Sequence, residues 1–538
     1  SFILSFGFIL VFFDHHFPAQ DEAEHIMNSM SFKDLLAHCR PWHQCLTVNG
    51  FYPPFIYFVN GSFLLIFGQS RFVEQLTMSF FCGLLAASIY TICRLLNGTR
   101  AAACVSALCF CAYPVIYTLG HTFLLDLPAI AMTAFALMTL LWWRDNPNPD
   151  WQRTLLTGLT VACACMSKQL VATYLLPVGF YYLLTDLISL KQSNNTQTSK
   201  WIIHTLGIGK IVVLIVLPFI LFNHQYLTGM SQSFLDAIAF KRVHYSYLEK
   251  LFSSVALLPS QMSPFLLIIF VLSLFFTSAR NHIKFLPLTL SALGGFALTC
   301  ISPWSGLLSD QRYTASSLIV AAIYSGFFIA QLISSEKRWQ RVVGMLVILF
   351  ATTNYLFFNF VPYPLPLPTL PWQTQILDSQ TAISDKQVSI ADRETIISHH
   401  NCNPVPLTDW GQILVLDTIE KVDNKEPVYL NILVNSTKLN PHTFELLLKE
   451  RDNKTITATT SRSWTIIGDQ VKFTPETVLY YHWYLLKTGS TGYGFYDKES
   501  AQNFKQLTDF ISHSDKYKLV LENNLPDKSK LILYRRTY

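Results

Sequence analysis

The sequence predicts an α-helical polytopic membrane protein with a C-terminal α/β domain, and three observations support this fold class. Of its 538 residues, 51% are hydrophobic and only 14% are charged, against roughly 25% charged in soluble globular proteins. Apolar runs long enough to cross a bilayer recur up to about residue 358, after which the polarity becomes ordinary. This pattern excludes a disordered or fibrous chain. The net charge of +5 gives no reason to expect a nucleic-acid partner.

Eleven segments are apolar enough to span a hydrocarbon core of about 30 Å. The first begins at Ser1 without a methionine, and ten spans follow it, so we expect a truncated first helix rather than a cleaved signal peptide. The predicted spans are residues 1–13, 71–94, 101–118, 127–143, 153–167, 169–187, 202–223, 263–278, 285–302, 314–334 and 341–358.

The charges between the spans predict the orientation. If the spans alternate, one set of short loops holds at least two basic residues each, and the positive-inside rule makes those loops cytoplasmic. The other loops then face outward, including 14–70, in which segments 22–38 and 53–67 are expected to lie as helices along the membrane surface. The basic loops contain Arg94 and Arg100, Arg144 and Arg153, Lys191 and Lys200, Arg280 and Lys284, and Lys337, Arg338 and Arg341.

A proline-rich linker at 359–380 separates a membrane domain, 1–358, from a soluble domain, 381–538. In the soluble domain, short β-rich runs alternate with helical patterns, which predicts a small α/β domain outside the cytoplasm. The β-rich runs are 413–417, 428–434, 478–485, 518–521 and 531–534, and the helical patterns are 441–450 and 499–512.

Most of the eleven cysteines lie in or beside apolar runs, where Cys acts as a small hydrophobe. Cys39, Cys45 and Cys402 lie in polar segments, and a Cys39–Cys45 disulfide is compatible with an outward loop.

Carboxylates on the predicted outward side are candidates for function, because a bilayer makes nearby charges costly. Asp21 and Glu22 begin a helical pattern in the first loop, and adjacent residues of a helix point about 100° apart, so one would act while the other supports it. Asp126 stands immediately before a span that begins Leu127-Pro128. The structural alternatives are a helix-dipole interaction for Asp21 and Glu22 and an N-cap role for Asp126.

Two isolated cations also lie on the predicted outward side, where the positive-inside rule disfavours them. Lys168 stands between two apolar runs, and Arg312 precedes Tyr313 just before the tenth span. Either these side chains anchor the helices at the interface, or they bind an anion such as a lipid phosphate.

In combination these motifs resemble the GT-C superfamily of polytopic glycosyltransferases, particularly the protein-mannosyltransferase and aminoarabinose-transferase branch. The resemblance covers roughly residues 1–358 and is extended by Arg312-Tyr313. Its four motifs are, in order, Asp21-Glu22, Tyr52-Pro53-Pro54-Phe55-Ile56-Tyr57 in a segment ending at Phe67-Gly68, Leu125-Asp126-Leu127-Pro128, and Met166-Ser167-Lys168.

The resemblance implies a sugar donor linked to a polyprenyl or dolichyl phosphate, and an acceptor hydroxyl on a glycan, lipid or protein. It implies an inverting single displacement, with Asp21 as general base and Asp126 as the second acidic residue of the catalytic site. The resemblance implies that positive charge at the leaving phosphate comes from Lys168 and Arg312. The residues implied at the phosphate and substrate are Lys168, Arg312, Glu22, Tyr52 and Tyr313.

Two positions depart from the aminoarabinose-type pattern: Glu24 stands where relatives often carry Arg, and Tyr52 where they often carry Lys. Either the phosphate is held mainly by Lys168 and Arg312, or the donor differs. No cofactor is required by this chemistry, although some GT-C enzymes use a divalent metal. The ligand types for a metal are present, without a spacing that demands a site, in His15, His16 and His25.

A transporter or flippase for lipid-linked sugars is the main alternative function, because charges near the membrane and Pro-broken spans suit it. Against it, the charges cluster at one face and the two halves show no repeat. A membrane scaffold would leave the outward charged residues unexplained. The expected location is a plasma or bacterial inner membrane with a periplasmic site, and the alternative is an endoplasmic reticulum membrane with a luminal site.

Overall fold

The computed structural model describes most of the membrane domain and, with gaps, the C-terminal domain. The described residues are 18, 20–49, 51–146, 148–193, 196–240, 247–301, 312–360, 410–423, 427–434, 439–459, 478–489, 498–526 and 528–537. The predicted first span, His15, His16, Cys402 and residues 361–380 of the predicted linker lie outside these ranges.

The described part of the membrane domain is helical throughout. Its helices are α1 (Gln20–Ala37), α2 (Trp42–Leu46), α3 (Phe55–Phe67), α4 (Arg71–Leu95), α5 (Arg100–Cys111), α6 (Pro114–His121), α7 (Asp126–Arg144), α8 (Trp151–Cys165), α9 (Val171–Ser193), α10 (Thr196–Phe240), α11 (Tyr247–Ala256), α12 (Leu258–Met262), α13 (Pro264–Phe276), α14 (Ala279–Ile301), α15 (Leu318–Ser334) and α16 (Arg338–Phe360). A 3₁₀ turn, Ala315–Ser317, leads into α15.

Ten of the eleven predicted spans coincide with helices, which confirms the polytopic helical fold. Among the described residues, six helices are long and apolar enough to cross a membrane, and α5 with α6 makes a seventh if that bent pair is one span. Helix α8 has 15 residues and helix α13 has 13, so both are shorter than these six helices. The total of eleven spans stays a prediction.

The helices differ in how they meet their surroundings. In α7, 78% of an 18-residue apolar stretch is buried inside the protein, whereas only 11% of the corresponding stretch of α10 is buried. An apolar helix with so little protein around it is expected to face lipid. Small residues allow the close contacts of the interior: a Cβ on Gly326 of α15 would lie 2.7 Å from the backbone nitrogen of Ser106 in α5.

The two helices predicted within residues 14–70 are present as α1 and α3, and they pack against each other. Gly61 lies at the closest approach, where an added Cβ would be 3.0 Å from the backbone nitrogen of Lys33. Gly68, with φ of +86°, follows the end of α3 in a conformation that favours glycine. These contacts hold α1, which begins with the Asp21-Glu22 motif, against the helix bundle.

The C-terminal domain contains a mixed five-stranded sheet in the order β2-β1-β3-β5-β4. Strand β1 pairs in parallel with β2 and β3, and β5 pairs antiparallel with β3 and β4. Apolar side chains are buried in two clusters, which the helices help to form. The elements are α17 (Gln412–Val422), β1 (Val428–Ile432), α18 (Pro441–Glu450), β2 (Ile456–Thr459), β3 (Trp483–Lys487), α19 (Lys498–His513), β4 (Tyr517–Asn524) and β5 (Lys530–Arg536).

One predicted strand is wrong, and one strand was not predicted. Residues 413–417 lie in helix α17, where Val415, Leu416 and Ile419 are buried at the spacing of one helical face. The apolar run there does not alternate, so the sequence pattern did not distinguish a strand from a buried helix. Strand β2 has only four residues at the edge of the sheet, too few to give a periodic signal.

Candidate active site

Four segments far apart in the sequence bring their charged side chains together at one end of the helix bundle. Lys168 Nζ donates to Asp126 Oδ1 at 2.5 Å, and Arg312 Nη1 lies 3.8 Å from Asp126 Oδ2. Arg312 also donates from Nη1 and Nη2 to Asp21 Oδ2, at 3.4 Å each. We call Asp21, Asp126, Lys168 and Arg312 the charged cluster. Its four members are the residues that the sequence singled out for the catalytic site and the anion.

Exposure increases steadily across the charged cluster. The side chains of Asp126 and Lys168 are 4% and 8% exposed, that of Arg312 is 19% exposed, and that of Asp21 is 54% exposed. A buried ion pair is stable only with good geometry and further partners, and Arg312 supplies a second cation to the Asp126 carboxylate. The cluster therefore has a buried inner pair and an outer carboxylate that is open to solvent.

Tyr313 lies against both cations of the charged cluster. Lys168 Nζ is 4.9 Å from the centre of its ring, and the Arg312 guanidinium carbon is 5.2 Å from it. Both distances permit cation–π attraction. Tyr174 of α9 donates its hydroxyl to the Tyr313 backbone carbonyl at 3.1 Å, which fixes this segment against the bundle.

The Lys168 turn is held by the segment that begins α3. The backbone nitrogen of Phe55 donates to the carbonyl of Met166 at 3.1 Å, and the side chain of Gln169 donates to the carbonyl of Phe51. Pro53 and Pro54 stand between these two anchors and cannot donate backbone hydrogen bonds of their own. The Pro-Pro motif and the Ser-Lys motif, separate in the sequence, thus form one structural unit.

Glu22 contacts a different part of the fold from Asp21. Its side chain is 4% exposed, and Oε1 accepts a hydrogen bond of 2.7 Å from the backbone nitrogen of Phe123. This contact ties α1 to the turn that precedes Asp126. The divergence expected for neighbouring residues of a helix is present, and it gives Glu22 a tethering contact with the Phe123 backbone.

The two departures from the family pattern are connected in space. Glu24 Oε1 accepts from Asn49 Nδ2 at 3.0 Å, and Asn49 Oδ1 in turn accepts from the backbone nitrogen of Tyr52 at 2.8 Å. Burial raises the pKa of the Glu24 carboxyl. Glu24 therefore shapes the loop in front of Pro53 and adds no positive charge to the site. Asn49 was not anticipated from the sequence, because its role depends on this tertiary contact.

His25 lies one helical turn after Asp21 and is buried beside Tyr52 and Tyr57. Its Nδ1 is 3.0 Å from the Tyr57 hydroxyl, and its ring lies edge-on to that of Tyr52 with centroids 5.2 Å apart. Burial lowers the pKa of His25 to about 4, so the imidazole is neutral near pH 7. The i, i+4 spacing from Asp21 places both residues on one face of α1.

Within the described ranges, no group of three or more His, Cys, Asp or Glu side chains could hold a metal ion. The predicted ligand candidates His15 and His16 fall outside those ranges. Cys39 and Cys45 have free thiols, so the disulfide compatible with their positions is not formed.

Comparisons with known proteins add the family context. A sequence model of the family described as dolichyl-phosphate-mannose-protein mannosyltransferase matches residues 39–232. This range contains Tyr52, Asp126 and Lys168, whereas Asp21 precedes it and Arg312 follows it. A search of curated protein sequences finds no match.

Among solved structures, the chain is similar to ArnT from Cupriavidus metallidurans bound to undecaprenyl phosphate, with a TM-score of 0.56 and 13% sequence identity. That alignment covers 99% of this chain and 96% of ArnT. The apo state of the same protein matches with the same TM-score and identity, over 98% of this chain and 96% of that one.

Because the alignment covers nearly the whole of both chains, the two proteins share a common fold, although their sequence identity is low. The protein is a multi-pass membrane protein with the GT-C fold. The fold expected from the resemblance to the GT-C superfamily is thus confirmed, and residues 39–232 are similar to the dolichyl-phosphate-mannose-protein mannosyltransferase family.

Proposed function

We propose that the chain transfers a hexosyl or pentosyl group from a polyprenyl-phosphate donor to a hydroxyl of a glycan, lipid or protein acceptor. The observation that best supports this proposal is the contact of Arg312 with both Asp21 and Asp126, beside Lys168. It joins an exposed carboxylate to two cations. Glycosyl transfer from a lipid phosphate needs these two functions side by side, a base for the acceptor and positive charge for the leaving group.

Asp21 acts as the general base in the proposed reaction. The acceptor oxygen attacks the anomeric carbon as the bond from that carbon to the phosphate oxygen breaks, and the acceptor proton passes to the Asp21 carboxylate. A single displacement of this kind inverts the anomeric configuration. Asp21 is suited to this role because its carboxylate is 54% exposed, so an acceptor can approach it.

Lys168 and Arg312 stabilise the departing polyprenyl phosphate, which leaves as an anion and needs no general acid. The Arg312 guanidinium, 3.4 Å from Asp21, turns toward the phosphate when the donor binds and thereby frees Asp21 for the acceptor hydroxyl. Asp126 keeps both cations in place. The reaction needs no cofactor, because these side chains supply the positive charge that a metal ion would otherwise provide.

The departures at Glu24 and Tyr52 support this assignment of the phosphate to Lys168 and Arg312. Neither side chain carries a positive charge. Glu24 accepts a hydrogen bond from Asn49, and the Tyr52 ring packs on His25. Tyr52 and Tyr313 instead present aromatic rings near the cluster, next to the space that the donor sugar and phosphate would occupy. The proposed site faces the extracytoplasmic side of a plasma or inner membrane, with the luminal side of an endoplasmic reticulum membrane as the alternative.

The proposal is tested by incubating the purified protein with a panel of polyprenyl-phosphate sugars and measuring released or transferred sugar. We expect turnover of at least one donor, with the product of inverted anomeric configuration. Reconstituted vesicles report in parallel whether lipid-linked sugar crosses the bilayer. Translocation without any cleavage of the sugar–phosphate bond would favour the lipid-linked-sugar transporter instead.

A further inference from the structure

Helix α18 of the C-terminal domain lies along α1, the helix that carries Asp21. Leu446 of α18 is fully buried and belongs to the same apolar cluster as Ala23, Ile26 and Met30 of α1. The C-terminal domain thus contributes a side chain to the core of the membrane domain, on the flank of the helix that holds the proposed base.

Lys449 attaches the second half of α18 to α1. Its Nζ donates to the backbone carbonyl of Met27 at 3.1 Å and to Ser31 Oγ at 2.9 Å. Burial lowers the pKa of the Lys449 ammonium, which agrees with a charge removed from water and held by fixed acceptors. A cation that donates to two groups on one helix restrains both the rotation and the sliding of that helix.

The end of α18 is also attached to α4. Arg71 Nη2 lies 3.1 Å from Glu450 Oε1, and Arg71 Nη1 lies 3.0 Å from Glu74 Oε2. The Glu74 side chain is only 3% exposed. Arg71 therefore joins the last residue of α18 to a carboxylate buried in the membrane domain, and α18 is held from two sides.

The first turn of α18 extends toward the Asp21 end of α1. His442 Nδ1 is 3.3 Å from Glu445 Oε2. This hydrogen bond, with the charges of Glu445, Glu24 and Asp21, raises the pKa of His442 against the effect of its burial. The charges of Glu24 and Asp21, near the start of α1, act on His442, whereas Lys449 contacts Met27 and Ser31 further along α1, so the two helices run in roughly the same direction.

We propose that Lys449, together with the Arg71–Glu450 pair, positions α1 and thereby the Asp21 carboxylate, so that the C-terminal domain is part of the catalytic unit. This inference rests on the proposed function of Asp21. Lys449 contacts no member of the charged cluster, so it is a positioning residue. Misplacement of a reacting group by about 1 Å is enough to cost about 100-fold in rate.

The test uses the full chain and a polyprenyl-phosphate sugar that the wild-type protein turns over. Lys449→Met keeps the apolar stem and removes the charge, Lys449→Arg restores a cation, and Lys454→Met alters a lysine that is 85% exposed. We expect Lys449→Met to lower kcat at least about tenfold with donor Kd within about twofold of wild type. We expect Lys449→Arg to recover most of the rate and Lys454→Met to match wild type.

Hydrogen exchange of residues 20–37 gives a second readout that needs no turnover, and we expect faster exchange in Lys449→Met than in Lys454→Met. Unchanged kcat in Lys449→Met, or parallel losses of kcat and donor binding, would overturn the proposal. Unchanged exchange in 20–37 would overturn it as well. A wild-type protein that turns over no donor would instead remove the proposed function, while the exchange measurement would still decide whether Lys449 restrains α1.

Discussion

Arg312 gives the charged cluster its particular arrangement, because one guanidinium contacts a buried carboxylate and an exposed one. Lys168 already pairs with Asp126. Arg312 is therefore a second cation for Asp126, and it is the cation that lies close to Asp21. In the proposed reaction, Arg312 exchanges the Asp21 carboxylate for the donor phosphate. The buried Lys168–Asp126 pair and the neighbouring His25 lead to two separate predictions.

Replacement of Lys168 is expected to weaken donor binding. In the proposed donor complex, Lys168→Met would remove one charged hydrogen bond to the phosphate, which corresponds to about 1.5–3 kcal/mol, and titration with a polyprenyl-phosphate sugar measures this loss. Because the change also leaves Asp126 buried with one cation fewer, the double variant with Asp126→Asn separates the folding effect from the binding effect. Lys200→Met, on an exposed part of α10, is the matched control. Wild-type affinity in the double variant would assign the phosphate to another site.

His25 is expected to make the protein less stable as the pH falls. Its pKa is lowered to about 4 in the folded protein, below its usual 6.5, so the unfolded state binds the proton first. Stability from the neutral imidazole is complete above about pH 6.5 and declines toward pH 4, by up to about 3 kcal/mol. Thermal unfolding at several pH values should show a shallower decline for His25→Gln than for wild type. Parallel curves would contradict the buried, neutral state of His25.

The sequence predicted Lys168 and Arg312 because the positive-inside rule disfavours cations on the outward side, and Asp21 and Asp126 because a bilayer makes nearby carboxylates costly. It could not place Glu22, Glu24 or His25. The partners of these three residues are a backbone nitrogen at 123, the Asn49 amide and the Tyr57 hydroxyl. Those contacts exist only after the first loop has packed on the bundle, so no local pattern reports them.

At the level of secondary-structure elements, α1 is held by its packing against α3 and α18. Both predicted helices of the first loop are present, and with 18 and 13 residues they are long enough for a sequence pattern to give a helix signal. The signal fails for short elements: residues 413–417 form a helix, and the four-residue β2 was missed. The packing of α18 on α1 joins two domains that the sequence separates by a long linker, and no pattern within either domain indicates it.

Close packing at Gly61 is expected to control the position of α1. Gly61→Ala places a methyl group 3.0 Å from the Lys33 backbone nitrogen and 3.1 Å from the Ser29 carbonyl. Overpacking of this kind destabilises a protein by about 1–3 kcal/mol, and here it also displaces the helix that bears Asp21. Thermal unfolding and kcat together measure the effect. Gly209→Ala, where an added Cβ meets nothing within 4 Å, should leave kcat unchanged and should not lower stability, because Ala favours a helix more than Gly does. An unaffected Gly61→Ala protein would show that α1 is not held by this contact.

At the scale of the whole molecule, composition and span length were enough to predict a polytopic helical protein with an appended α/β domain. They were not enough to count the spans. Helices such as α8 and α13 are shorter than a bilayer core requires, and α5 and α6 form a bent pair. Length and polarity measure whether a helix can cross a membrane, whereas bending and burial by neighbouring helices decide how it does so.

The predicted orientation of the molecule can be checked by cysteine labelling. In a background without native cysteines, Lys454→Cys should react with a membrane-impermeant maleimide on intact cells, because the C-terminal domain is proposed to lie outside. Lys337→Cys, in a basic loop predicted to be cytoplasmic, should react only after permeabilisation. The reverse pattern would invert the topology and put the charged cluster on the cytoplasmic side.

The most direct test of the account compares wild type with Asp21→Asn in a single-turnover reaction with a bound polyprenyl-phosphate sugar. Asp34→Asn is the matched control, since Asp34 lies exposed on the same helix. We expect Asp21→Asn to bind the donor as wild type does, within about twofold, but to lose at least the factor of about 100 in rate that a general base typically supplies. Asp34→Asn should keep the wild-type rate. Sugar transfer by Asp21→Asn at the wild-type rate would contradict the assignment of Asp21 as the base.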